Sequence, residues 1–371
     1  MLKFFEGRVI SDKASQLDVL DGLRGLAALL VVLSHTSNAG YFFAPGLNFT
    51  GVGKTGVYLF FLLSAFLLTY QFVSKGSEAF TRGNLTNYAL RRFFRIYPLY
   101  SVYLLAALLS TSAFVYLFPN KSPSGIPFVL DASEFMSEFF LVSAKGIEWS
   151  VLVEFRYYLL LPILAFVYTR LLKNRLLPNI LLTVLLMAAC SMLWPPSTYW
   201  ENHHGLGIYA PIFLMGSVLA LIHHAIKSSG VLLPKHKLSL EVVGGISIAA
   251  IILLFPSVNA LLFSEVVGEK FHREFILYAI LWSLVLMASI HGTGLLMNIL
   301  GNNFFRYLGF ISFSLYLSHG SIIRLITPLG LGEYLSAWAV LFVSIVFSTI
   351  TYRLIELPAS KIRWPMKKKS S

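Results

Sequence analysis

Cysteine is nearly absent from this chain. Of 371 residues only Cys190 is one, so no internal disulfide can form and the redox compartment cannot be read. Charge is scarce too: Asp, Glu, Lys and Arg make up 12% of the sequence, whereas 57% is hydrophobic and 15% aromatic. That balance excludes a disordered chain and an ordinary soluble domain, and it suits an integral membrane protein. Several chemical signatures are missing as well. Gly51 to Gly56 imitates a phosphate loop, but the Walker pattern needs Gly where Asn48 stands. His203-His204 and His223-His224 are adjacent pairs, which diverge by about 100° on a helix and offer no common ligand face, so no metal is expected. No Gly-x-Ser-x-Gly elbow of a soluble serine hydrolase occurs.

What is abundant is long apolar sequence. Ten stretches approach the roughly 20 residues that cross a bilayer: 20–38, 55–73, 97–118, 150–170, 177–195, 207–226, 238–257, 274–292, 305–326 and 333–353. The stretch 128–145 is apolar but carries Glu134 and Glu138, and it reads as interfacial or re-entrant. The expected fold is therefore an all-α, polytopic bundle of about ten transmembrane helices. A segment 1–19 would precede a single membrane domain, 20–356, and a basic tail, 357–371, would follow it. The basic start imitates a signal peptide, but Asp21 and Arg24 interrupt the apolar run and further spans follow, so no cleavage is expected.

The net charge of +12 tests this topology. With both termini placed in the cytoplasm, only Lys54, Lys121, Lys145, Lys270 and Arg273 fall outside, and Arg24, Arg156 and Arg324 fall within spans. The remaining Lys and Arg, among the 29 in all, lie inside. That is the positive-inside bias, and it accounts for the basicity without a nucleic-acid partner.

Leu20 to His35 organises the candidate site. Arg24 and His35 lie eleven positions apart in a membrane helix, which puts them on nearly one face and roughly 16 Å apart along the axis. Ionisable groups inside a span are expensive, and by default they mark a cavity with a function. At the depth of His35 the topology also places Glu154 and His319. A histidine beside a carboxylate would make a base and its orienter, able to deprotonate a hydroxyl that attacks an acyl donor. On the inner side, Arg91, Arg92 and Arg95 form an array suited to phosphate through forked hydrogen bonds. Blander roles stay open. Each histidine could join helices, Glu154 could serve Arg156, Arg24 could anchor its helix end, and the arginine array could attract anionic headgroups.

Taken together, these motifs resemble the acyltransferase family three membrane proteins, which include O-antigen and other surface-glycan O-acetylases. The resemblance rests on Leu20 to His35, Gly56 to Leu67, Arg92 and Arg95 within Arg91 to Tyr100, and Trp149 to Pro162 with its Trp-Ser-x-x-x-Glu. It extends to Ile311 to His319 and Tyr352 to Glu356. Tyr58 and Ala65 depart from the commoner Asp and Gly of the second-helix motif, and Phe155-Arg156 departs after the glutamate. The resemblance implies acyl transfer, most often of acetyl from acetyl-CoA, to a hydroxyl of an exported or lipid-linked glycan such as lipopolysaccharide, in a bacterial inner membrane. His35 would be catalytic, either as base or as acyl acceptor, with Glu154 and Arg24 in support. Arg91, Arg92 and Arg95 would hold the donor. His319, Ser64, Trp149 and Tyr316 would face substrate. No cofactor would be permanently bound; acyl-CoA, the glycan acceptor and the bilayer are the expected partners. Some members carry an extracytoplasmic hydrolase-like domain, and without one the chain would act alone or pass its acyl group to a separate transferase. The competing classes are a transporter or flippase and a structural subunit of an envelope complex.

Overall fold

A computed structural model describes residues 16–195, 203–230, 234–263 and 275–362. The basic residues Lys3, Arg8, Lys13, Lys270, Arg273, Arg363, Lys367, Lys368 and Lys369 lie outside these segments. In lipid, every backbone N–H and C=O must be satisfied within the chain, and a sequence this apolar meets that demand with helices. In order they are α1 (Gln16–Asn38), α2 (Gly53–Lys75), α3 (Arg82–Leu117), α4 (Ala132–Phe139), α5 (Trp149–Phe166), α6 (Leu176–Leu193) and α7 (Leu206–Ser229). The chain continues with α8 (Pro234–Leu253), α9 (Pro256–Phe263), α10 (Phe275–His291), α11 (Leu295–Leu300), α12 (Asn303–Phe310), α13 (Ser312–Ile326), α14 (Glu333–Thr351) and α15 (Leu357–Ser360). No strand occurs among the described residues.

Eight of the described helical segments are long and apolar enough to span a membrane. The 17-residue α10 and the bent pair α12–α13 complete the ten stretches read from the sequence. The stretch 128–145 yields only the eight-residue α4, too short to cross and opened by a capping box between Asp131 and Glu134.

Two elements differ from expectation. The third span, expected to start at residue 97, and the arginine-bearing segment before it are one continuous helix, α3, which runs 36 residues through Pro98. The ninth span is broken: α12 and α13 meet at 76°. The carboxylate of Glu356 lies at that break. It accepts from the Ser314 backbone N–H at 3.1 Å and from the Ser314 hydroxyl, replacing acceptors that a continuous helix would have supplied. Glu356 is aimed there by a wide π turn, Tyr352–Glu356, which follows α14.

The core is built around α1 and α2. α2 packs along α7 and α1, and α1 packs along α12. Close approach explains two glycines: a side chain at Gly25 would strike the Phe305 carbonyl of α12, and one at Gly56 would strike the Ala27 carbonyl of α1. The pair Arg306–Asp18, 2.6 Å apart, ties α12 to the start of α1.

Candidate active site

α1 carries Arg24 and His35 in one unbroken helix, with His35 in its last turn. The ring partner of His35 is His319 of α13. His35 Nδ1 lies 2.7 Å from His319 Nε2, and the rings stack with centroids 4.9 Å apart. His319 is fully buried, and its Nδ1 lies 3.1 Å from the Leu315 carbonyl one turn earlier. The other ring nitrogen of His35, Nε2, faces the first residue of α2. A β-carbon at Gly53 would stand 3.6 Å from it. Beside it the Ser34 hydroxyl is buried with no hydrogen-bond partner.

Below this pair is a cavity of about 270 Å³. Three cationic side chains line it: Arg24 from α1, and Arg92 and Arg95 from α3. Ser64, Glu154 and Tyr158 line it too. The Glu154 carboxylate accepts from the Ser64 hydroxyl and, at 2.5 Å, from Tyr158. Arg92 lies over the Tyr158 ring at 5.7 Å, and its buried Nε has no hydrogen-bond partner. Arg95 is paired with Glu356 at 2.9 Å. The far end is lined by Ser150 and Tyr316, whose hydroxyls lie 2.7 Å apart, and the Tyr316 ring is 6.1 Å from that of His319. One tyrosine ring thus stands between an arginine-lined cavity and a histidine pair.

This arrangement sorts the residues singled out by sequence. His35 and His319 are brought together, and so are Arg24, Arg92, Arg95, Ser64, Glu154 and Tyr316. The histidine–carboxylate contact is replaced: His35 pairs with His319, while Glu154 holds Ser64 and Tyr158. Arg156 is committed to the His204 and Val142 carbonyls rather than to Glu154. Arg91 turns away from the array; its Nε donates to Asn87 O at 3.1 Å, and it lines a separate shallow pocket with Lys75 and Asn84. Trp149 packs edge-on against Phe61, with ring centroids 5.9 Å apart, and is not among the cavity-lining residues. Three further residues escaped the sequence reading. Tyr158 was available as the position four after Glu154, one helical turn on. Glu356 lay in a quoted motif without a role. Ser312, whose buried hydroxyl lines the cavity without a partner, likewise lay in a quoted motif, Ile311 to His319, without a role.

Residues 17–353 match the family model for acyltransferase 3, described as an acyltransferase domain. The chain belongs to the acyltransferase 3 family. It is similar to the peptidoglycan O-acetyltransferase OatA of Listeria monocytogenes, with 28% identity over 363 residues, covering 92% of this chain and 55% of the relative. A Staphylococcus aureus protein provisionally named an O-acetyltransferase is 23% identical over 359 residues, covering 92% of this chain and 57% of the relative. YrhL of Bacillus subtilis, which carries a provisional peptidoglycan O-acetyltransferase name, is 23% identical over 362 residues, covering 91% and 54%. The chain thus spans about half the length of the curated relatives it matches. No solved structure matches it. Family model and helices together make this member of the acyltransferase 3 family a multi-pass membrane protein with an acyltransferase domain.

Proposed function

We propose that the protein moves an acetyl group from acyl-CoA, bound from the cytoplasm, to a hydroxyl of an envelope glycan on the outer side of a bacterial cytoplasmic membrane. The observation that carries this reading is the line from the arginine-lined cavity, past Tyr316, to the His35–His319 pair. Arg24, Arg92 and perforce the Glu356-paired Arg95 offer forked donors to the donor's phosphates. Glu154, held by Ser64 and Tyr158, lines the same cavity. The relatives' names favour peptidoglycan as the acceptor class over the O-antigen lipopolysaccharide suggested by sequence resemblance.

In this mechanism His35 Nε2 takes the proton of the acceptor hydroxyl as its oxygen attacks the thioester carbonyl carbon. The carbon–sulfur bond then breaks, and the departing thiolate takes that proton back from the imidazolium. Atoms and charge balance, and no further reactant is needed. The test is mass spectrometry of envelope glycans, peptidoglycan fragments first, from cells with the intact gene, without it, and complemented with His35→Ala. A 42-unit increment present only with intact His35 is expected. Normal acetylation with His35→Ala at wild-type membrane levels would remove the histidine from the chemistry. Uptake or export of an unmodified glycan, with no acyl ester in any fraction, would favour transport.

A further inference from the structure

The hydrogen-bond order around His319 has a consequence for which nitrogen of His35 can act. The Leu315 carbonyl can only accept, so His319 Nδ1 must carry a hydrogen and donate it across 3.1 Å. His319 is fully buried, and the hydrogen bond to its other nitrogen comes from another histidine. In an interior with no counter-charge bonded to either ring, the neutral pair is the low-energy one. A neutral His319 protonated on Nδ1 presents a bare Nε2, which accepts from His35 Nδ1–H at 2.7 Å. His35 then has its own bare lone pair on Nε2, the nitrogen that faces Gly53.

Resting on the acyltransfer reading, we propose that His319 is the positioning residue that fixes the tautomer and ring orientation of His35. It takes the part for which a carboxylate was expected, and it touches neither donor nor acceptor. The helix supplies the reference point: the Leu315 carbonyl, one turn below His319 on α13, sets the hydrogen-bond direction that runs through both rings. A histidine in this place also spreads the positive charge that His35 gains as it takes a proton, because imidazole nitrogen is a stronger acceptor than a neutral oxygen.

Glutamine separates this role from others. Its amide oxygen can accept from His35 Nδ1–H and its amide nitrogen can donate to Leu315, but it cannot take a proton. Acetyl-ester formation should be measured in membranes containing wild type, His35→Ala, His319→Leu and His319→Gln, each quantified by immunoblot. His319→Leu is expected to lose about 100-fold or more, the scale on which a wrong tautomer disables a catalytic histidine. His319→Gln is expected to stay within about tenfold of wild type, with the acid limb of its pH–rate profile moved to lower pH because an amide oxygen supports the imidazolium less well. The titratable side chains described against the pair are the two histidines themselves and Tyr316. Two results would overturn the proposal: His319→Leu as active as wild type, or His319→Gln as inactive as Leu at equal abundance. An active His35→Ala would instead overturn the acyltransfer reading on which this rests.

Discussion

At the first turn of α2, a side chain would touch the His35 nitrogen proposed to react. A β-carbon at Gly53 would come within 3.2 Å of Ser34 and 3.6 Å of His35 Nε2. Yet Gly53 is not in the left-handed region, so alanine fits the backbone, and alanine in a helix is favoured over glycine by about 0.5–1 kcal/mol. Gly53→Ala is therefore expected to hold or raise thermal stability in detergent while cutting acetyl transfer by about tenfold, as a small displacement at a reacting centre does. Unchanged transfer in a stable Gly53→Ala protein would mean that the acceptor does not approach from this side. Residue chemistry was the most legible level of the sequence. Arg24, His35 and Glu154 stood out because ionisable groups are costly in lipid, and Arg92 and Arg95 because they form an array suited to phosphate. Which of them would touch was not legible. Equal depth along a topology brought three groups to one level, but depth does not fix which rotamer meets which, and a second imidazole took the position given to a carboxylate.

At the scale of elements, the break between α12 and α13 depends on a side chain 42 positions away. Glu356 is 2% exposed, caps Ser314 and holds Arg95. Removing it leaves both a half-buried cation and an uncapped helix start. Breaking one side of such a pair costs about 3–5 kcal/mol where both partners are buried, and Arg95 is partly exposed, so about 3 kcal/mol is the reasonable scale for Glu356→Ala. The expected readout is a clearly lower thermal midpoint in detergent, with Glu356→Gln intermediate because its amide can still accept from Ser314. A midpoint equal to wild type for Glu356→Ala would show that α14 does not brace the bend. The sequence could locate the apolar stretch 305–326 but not its 76° bend, since hydropathy carries no record of a distant cap. The same blindness started the third span at residue 97 rather than Arg82: a helix continues across the membrane boundary without any change of local propensity.

At the scale of the whole molecule, the short α4 and the turn before α5 rest against α3 through tyrosines. Tyr97 donates to the Phe139 carbonyl at 2.6 Å and Tyr100 to the Glu138 carbonyl at 3.4 Å. Glu138 is buried there, and burial pushes its carboxyl up to about 7 from an ordinary 4.5, with Lys145 opposing and Glu134 adding to the shift. The folded form thus holds its proton more tightly than any opened form. Its contribution is complete below pH 4.5 and is lost as pH rises through about 7, on the order of 3 kcal/mol in all. Hydrogen exchange in residues 132–148, corrected for intrinsic rates, is expected to be slower at pH 5 than at pH 8 by tens-fold, and Glu138→Gln should flatten that difference. Equal protection at both values would mean that Glu138 keeps the same proton when the segment opens.

Because Arg24 and His35 share one unbroken helix, their separation is set by backbone geometry, roughly 16 Å of rise that no side-chain rearrangement can alter. Under the proposed acyl-CoA reading, a donor gripped by its phosphates near Arg24 would present its carbonyl near His35, so the flexible arm between phosphate and thioester would have to match that rise. An acetyl thioester on a short thiol would fall short of His35 even though its transferable group is identical. On that reading α1 would serve as a length gauge that measures the carrier rather than the cargo.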